Sequence, residues 1–172
     1  MLPQVVQDAL SEQINMELCA SYNYLAMSAY CKSQNFHGFG NWLAVQSQEE
    51  YGHSMKLYDF MMARNCQTDL REIPKPQAAF DSLLSVFEAA LGQERKVSER
   101  IDALYELAFQ EKAFAALVEL QWFITEQVEE ERTFTDVVAK LKMVGDDPSA
   151  LIDLDREMGS RSAAESGGEA AG

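Results

Sequence analysis

Apolar residues recur along this chain at alternating steps of three and four, the spacing that keeps side chains on one buried stripe of a helix in a bundle. The pattern predicts long helices over residues 4–33, 38–66, 82–109 and 112–141, and a short fifth over 148–158. The first stripe reads Leu10, Ile14, Glu17, Ser21, Tyr24 and Ser28, and the second Leu43, Gln46, Glu50, His53, Leu57 and Phe60. The third reads Leu83, Phe87, Ala90, Glu94, Val97, Ile101, Leu104 and Ala108, and the fourth Leu120, Phe123, Gln127, Glu130, Phe134, Val137 and Leu141. Every stripe is broken near the middle of its helix by ionisable or amide groups.

The breaks between helices carry their own signals. Gly38 and Gly40 punctuate the turn between the first two, Pro74-Lys75-Pro76 interrupts any helix before the third, and Gly145 ends the fourth. Asp147 followed by Pro148 supplies an N-cap and a first-turn residue for the fifth. The first and third links are a few residues long, so each joins an antiparallel hairpin. The link between the second and third helices runs about 15 residues, and at ~3.3–3.6 Å per residue it reaches roughly 50 Å. A 28-residue helix is about 42 Å long at ~1.5 Å per residue. The link can therefore travel the whole bundle and leave the second and third helices parallel, a topology with one long crossover.

Composition agrees: four Pro, nine Gly and a plentiful supply of Ala, Leu, Glu, Gln and Met favour an all-α chain. At 172 residues and 47% hydrophobic it suits one domain, expected over residues 1–160, with a small, polar and disordered tail over 161–172 ending in ESGGEAAG. Acidic residues outnumber basic ones 28 to 14, which disfavours nucleic acid as a partner and suits cations. Cys19, Cys31 and Cys66 fit neither a disulfide framework nor a thiolate zinc site. No run of about 18 apolar residues and no leader-like N-terminus is present, so the expectation is a soluble cytoplasmic protein away from membranes.

The interruptions of the four stripes meet at one level, bringing Glu17, Glu50, His53, Glu94, Gln127 and Glu130 together. An unpaired buried carboxylate costs several kcal/mol, and four in one dry layer also repel one another. Cations must compensate, or the groups must take up protons. Four carboxylates and a neutral imidazole carry about −4 charge, which two divalent ions cancel. Hard oxygen donors with one nitrogen suit Fe(II), Fe(III) or Mn(II). Glu50 and His53, at i and i+3, can serve a single ion. An acidic hydrogen-bond network without metal remains the structural alternative.

The Glu-x-x-His motif of Glu50, Tyr51, Gly52 and His53, the segment LQWFITEQVEEE from Leu120 to Glu131, and Glu17 with Glu94 resemble the ferroxidase motifs of bacterial non-haem ferritins. The resemblance extends from about Leu2 to Met158. That family is itself the type example of ligands built inside a helix bundle.

The resemblance implies a ferritin-like four-helix bundle with one long crossover and a short fifth helix. Glu17, Glu50 and His53 would hold a first iron, and Glu50, Glu94 and Glu130 a second, with Glu50 bridging. Gln127 would lie near the second iron or a bound dioxygen, and Tyr24 would have a redox or hydrogen-bonding role. A third, outer iron would fall to Glu49, Glu126, Glu129 and Glu130. The implied activity is oxidation of Fe(II) by dioxygen, with storage of ferric mineral in a homo-oligomeric cage of 24 subunits and 432 symmetry, the fifth helix gathering near the four-fold axes.

From the residues alone, a solvated acidic face accounts equally well for Glu49, Glu126, Glu129 and Glu131, and a buried tyrosine with a satisfied hydroxyl for Tyr24. Trp122 reads as core packing ahead of an electron-transfer role, His37 as a solvated or capping residue, and Met55, Met61 and Met62 as core or contact residues. The cysteines read as packing groups, with Cys66 open to oxidation if exposed.

Three departures narrow the reading. The fourth helix carries Gln127, Val128, Glu129 and Glu130 without a second histidine, unlike bacterioferritins and rubrerythrin-type peroxidases. Tyr51 stands where bacterioferritin ligates haem through methionine, so no haem is expected. Leu117 and Leu120 stand where animal ferritins place channel acids, which leaves the route of iron open. The alternatives are a di-iron peroxidase or oxygenase and a non-catalytic helical bundle.

Overall fold

Helix starts and stops follow local chemistry. The computed structural model describes residues 2–160, whose helices are α1 (Gln4–Ser33), α2 (His37–Ala63), α3 (Leu83–Gln110), α4 (Phe114–Val144) and α5 (Pro148–Gly159). Ser82 opens α3 with a reciprocal cap: its hydroxyl accepts from the Ser85 amide at 3.1 Å, and the Ser85 hydroxyl accepts from the Ser82 amide at 3.0 Å. Asp147 caps α5, accepting from the amides of Ser149 and Ala150 at 2.9 and 3.3 Å. Gly145, at φ 54°, ends α4. The tail anticipated over residues 161–172 lies outside the described residues.

Gly38 and Gly40 lie inside the first turn of α2, and the turn itself is made by Gln34, Asn35 and Phe36, with Asn35 at φ 64°. The glycines serve close approach. A Cβ on Gly38 would fall 1.7 Å from the carbonyl oxygen of Asp155 on α5, and one on Gly40 would fall 2.5 Å from Lys32 Cγ. Phe36, at the N-cap of α2, makes no side-chain cap, but the Phe39 amide donates to Asp155 Oδ1 at 2.9 Å. A carboxylate from α5 thus satisfies an orphan donor and faces the positive end of the α2 dipole.

Helix α2 stops at Ala63, earlier than the periodicity predicts, and lengthens the crossover to residues 64–82. The crossover is fastened to α1. Asn15 Nδ2 donates to the Asp69 carbonyl at 2.7 Å, the Arg71 amide to Asn15 Oδ1 at 2.8 Å, and the Asp69 amide to Ser11 Oγ at 3.3 Å. At its far end the Tyr30 hydroxyl donates to the Phe80 carbonyl at 2.7 Å. The segment therefore follows α1 toward its C-terminal end, α3 starts there and runs back, and α2 and α3 are parallel. This is the single-crossover bundle.

The core has two halves. One gathers Tyr24, Phe39, Trp42, Phe87 and Phe134 with Leu154 and Met158 of α5. Its rings interlock, with Trp42 edge-on to Phe134 at 5.0 Å and Phe39 edge-on to Phe87 at 5.4 Å. The other is mainly aliphatic, with Leu10, Ile14, Leu57, Ile101 and Leu120. Leu117 also packs there, so both leucines at the channel-acid positions are core residues. The polar residues of the four stripes lie between the halves.

Candidate metal centre

Glu17 on α1, Glu50 and His53 on α2, Glu94 on α3, and Gln127 and Glu130 on α4 are all buried. Antiparallel pairing brings the middle of each helix to one level, and the i, i+3 spacing keeps Glu50 and His53 on one face. Glu17, Glu50 and His53 each offer a ligand atom, all within 4.8 Å of one another. His53 Nδ1 stands 3.3 Å from Glu50 Oε2. Glu94 and Glu130 join this close set through hydrogen bonds and charge.

The Tyr24 hydroxyl donates to Glu94 Oε1, while Gln127 Nε2 donates to Glu94 Oε2 at 3.2 Å and to the Glu94 carbonyl at 3.3 Å. Gln46 Nε2 donates to Glu130 Oε1 at 2.8 Å and to Glu50 Oε1 at 3.3 Å. Gln13 Nε2 donates to Glu17 Oε1 at 2.8 Å. Among the described residues, Glu17 Oε2 and Glu50 Oε2 are buried with no hydrogen-bond partner. Orphaned carboxylate oxygens inside a dry layer are costly, and two beside an imidazole are the donors a cation uses.

Burial pushes the Glu17 and Glu50 carboxyls well above the usual carboxylate range, and neighbouring carboxylates add to it. Glu94 is raised by burial, against the lowering effect of the Tyr24 and Gln127 hydrogen bonds. Glu130 is pushed up to about 8 by burial and then by the charge of Glu94. Without cations the layer holds protons, as the crowding of acids requires. Burial, then the Glu94 charge, raises the Tyr24 hydroxyl well above its ordinary value, so it is a donor and not a phenolate.

Of the outer acids, Glu49 and Glu126 are half-buried and Glu129 is exposed. They lie near enough that the charges of Glu129 and Glu49 add to the burial that raises Glu126. They are not part of the close ligand set.

Four other expectations change or sharpen. Trp122 is 38% exposed, so it is not core packing. Its ring meets His53 edge-on at 5.2 Å and lies 4.8 Å below Lys56 Nζ, covering the histidine from outside. Cys66 is buried, which removes the premise for its oxidation, and burial pushes the buried Cys31 thiol up to about 12. His37 is exposed at the first position of α2, and Met61 is core while Met62 is exposed.

Two buried residues add to the predicted layer. Gln46 was on the α2 stripe but outside the converging set, and Gln13 was off the α1 stripe altogether. The signal was a glutamine one turn before each of two buried glutamates, a pairing that faces along the helix at i and i+4.

The fold and its layer define a single-crossover four-helix bundle centred on buried carboxylates and one histidine. Residues 7–144 match the family described as a ferritin-like domain. The chain belongs to the ferritin family. It is 37% identical over 161 residues to the bacterial non-heme ferritin of Staphylococcus aureus, covering 94% of this chain and 97% of that one. To the bacterial non-heme ferritin of Staphylococcus haemolyticus it is 38% identical over 162 residues, covering 94% and 98%. Among solved structures it superposes on the open pore ferritin of the hyperthermophilic archaeon Archaeoglobus fulgidus with a TM-score of 0.93 at 41% identity, covering 94% of this chain and 99% of that one. No helix among the described residues is long and apolar enough to cross a membrane.

Proposed function

We propose that this chain is the subunit of an iron-storage cage that oxidises Fe(II) with dioxygen inside each subunit and deposits Fe(III) as mineral. The observation that carries the reading is the pair of orphaned, buried oxygens of Glu17 and Glu50 beside His53. Fe(II) is the substrate and cargo. Glu17, Glu50 and His53 take one ion, and Glu50, Glu94 and Glu130 take a second, with Glu50 shared.

The chemistry follows from charge. Each of two Fe(II) ions gives one electron to dioxygen, and carboxylates stabilise the higher charge of Fe(III), which favours that transfer. Protons held by the raised carboxyls leave as the cations bind. Tyr24 and Gln127 hold the two oxygens of Glu94, fixing its orientation toward the second ion. Gln127, held against Glu94, would lie near the second ion or a bound dioxygen. Glu49, Glu126 and Glu129, with Glu130, take a third ion outside the layer. No haem is involved.

Storage follows from assembly into a cage of 24 such chains, in a reducing cytoplasm that supplies Fe(II). The single Glu-x-x-His motif, without a histidine in the Gln127–Glu130 stretch, argues against a peroxidase or oxygenase. Replacing Glu94 or Glu130 with Ala should abolish the rapid phase of Fe(II) oxidation at two ions per subunit, and unchanged initial rates would count against the assignment. Size-exclusion chromatography of iron-loaded protein, read for mass and iron, tests the cage.

A further inference from the structure

Two of the buried carboxylates are each preceded by one turn of helix and a buried glutamine. Gln13 and Gln46 are 2% and 0% exposed. The Gln13 amide donates to one oxygen of Glu17 at 2.8 Å, and the oxygen it does not touch is one of the two orphans. The Gln46 amide donates to one oxygen of Glu50 at 3.3 Å, and the untouched oxygen is the other orphan. The same Gln46 nitrogen donates to Glu130 Oε1 at 2.8 Å, joining α2 to α4 across the layer.

We propose, resting on the metal-centre reading above, that Gln13 and Gln46 are positioning residues that clamp one oxygen of their carboxylates and reserve the other for Fe(II). An amide suits this task because it donates without charge. A lysine or arginine here would neutralise the carboxylate and compete with the cation, whereas a second acid would deepen the repulsion. A clamped carboxylate also keeps one rotamer, so less side-chain freedom is lost when the ion arrives.

The two clamps are not equivalent. Among the described residues Gln13 holds Glu17, a ligand of the ion shared with His53. Gln46 holds Glu50 and Glu130, and Glu130 serves the other ion. Removing Gln13 should therefore weaken the His53 ion selectively, and removing Gln46 should weaken the Glu130 ion more. Outer-shell hydrogen bonds of this kind are worth about 10- to 100-fold in metal affinity.

The test is anaerobic titration of the full-length assembled protein with Fe(II) alone. Total bound Fe(II) is followed together with the part of the tryptophan emission that Trp122→Phe removes, which reports the ion beside His53 because the two rings are 5.2 Å apart. Gln13→Leu should shift the Trp122 midpoint to about 10- to 100-fold higher Fe(II). Gln46→Leu should shift that midpoint as well, because Glu50 serves both ions, and should shift the remaining binding step by more. Gln13→Met and Gln46→Met repeat the test with unbranched side chains should a leucine variant fail to fold. Midpoints unchanged in parent-like variants would overturn the clamp alone. Equal loss of both steps with a lowered melting temperature would reduce the glutamines to packing residues and overturn it as well. A parent protein that binds no Fe(II) would overturn the metal reading, and the clamp with it.

Discussion

Asp155 on α5 accepts a hydrogen bond at 2.9 Å from the backbone amide of Phe39 on α2, across 116 residues of sequence. Helix α2 has no cap of its own, so its first turn is completed by the last helix of the fold. The contact is possible because Gly38 lets the two backbones meet.

Asp155→Ala should therefore destabilise the protein by about 1 kcal/mol, the ordinary worth of an N-terminal acceptor. For a chain of this size that lowers the melting temperature by about 2–4 °C. Asp155→Asn, which keeps an acceptor oxygen, should recover much of it. Gly38→Ala should be more damaging, because its Cβ would occupy the space of the Asp155 carbonyl. Thermal melts and limited proteolysis of α5 would show this, and equal melting of Gly38→Ala and parent would refute the docking argument.

The pH dependence of the metal-free protein has a definite sign. Glu130 titrates near 8 in the folded chain, above the 4.5 of a free carboxyl, so the native state holds a proton that the unfolded chain has lost. That contribution is fully present below pH 4.5 and disappears as pH rises through about 8. Metal-free melting temperature should fall between pH 5 and 8, Glu130→Gln should flatten the slope, and Co(II) should stabilise more at pH 8 than at pH 5. A metal-free melting temperature that rises over this range would contradict the protonated layer.

Tyr24→Phe removes the hydroxyl that donates to Glu94 but keeps the ring stacked on Phe134 at 5.5 Å. Folding should survive, and the initial rate of Fe(II) oxidation should fall by about tenfold, the lower range for loss of an outer-shell partner. Stopped-flow absorbance would show it. Parental rates would make Tyr24 a packing residue only.

Trp122 should sense the first ion. Its ring touches His53 at the surface, whereas Trp42 is 4% exposed and enclosed by Phe87 and Phe134. Binding of a divalent ion at His53 should quench emission, and Trp122→Phe should abolish the change while Trp42→Phe preserves it. The reverse pattern would place the ion elsewhere.

The stripes made the fold and the inner layer legible because burial is periodic: Glu17, Glu50, Glu94 and Glu130 stand out as acids at positions otherwise apolar. Family resemblance then supplied the iron chemistry that spacing could not. The role of Gly38 was not legible, since its neighbour Asp155 comes from a helix far along the chain. Trp122 was misread from its residue type, because it stands outside the α4 stripe, on a face where Lys56 lies over its ring. Gln13 was missed because it sits beside the stripe, where its i, i+4 spacing to Glu17 is the one mark in the sequence and the hydrogen bond the mark in the structure.

The ring-rich and aliphatic halves of the interior sit like two clamps on a sample cell. Each half grips all four long helices by itself, so the stratum between them can gain charge, lose protons and exchange cargo without any helix having to slide. Turnover of iron in such a subunit then needs only side-chain adjustments, with the backbone staying in register.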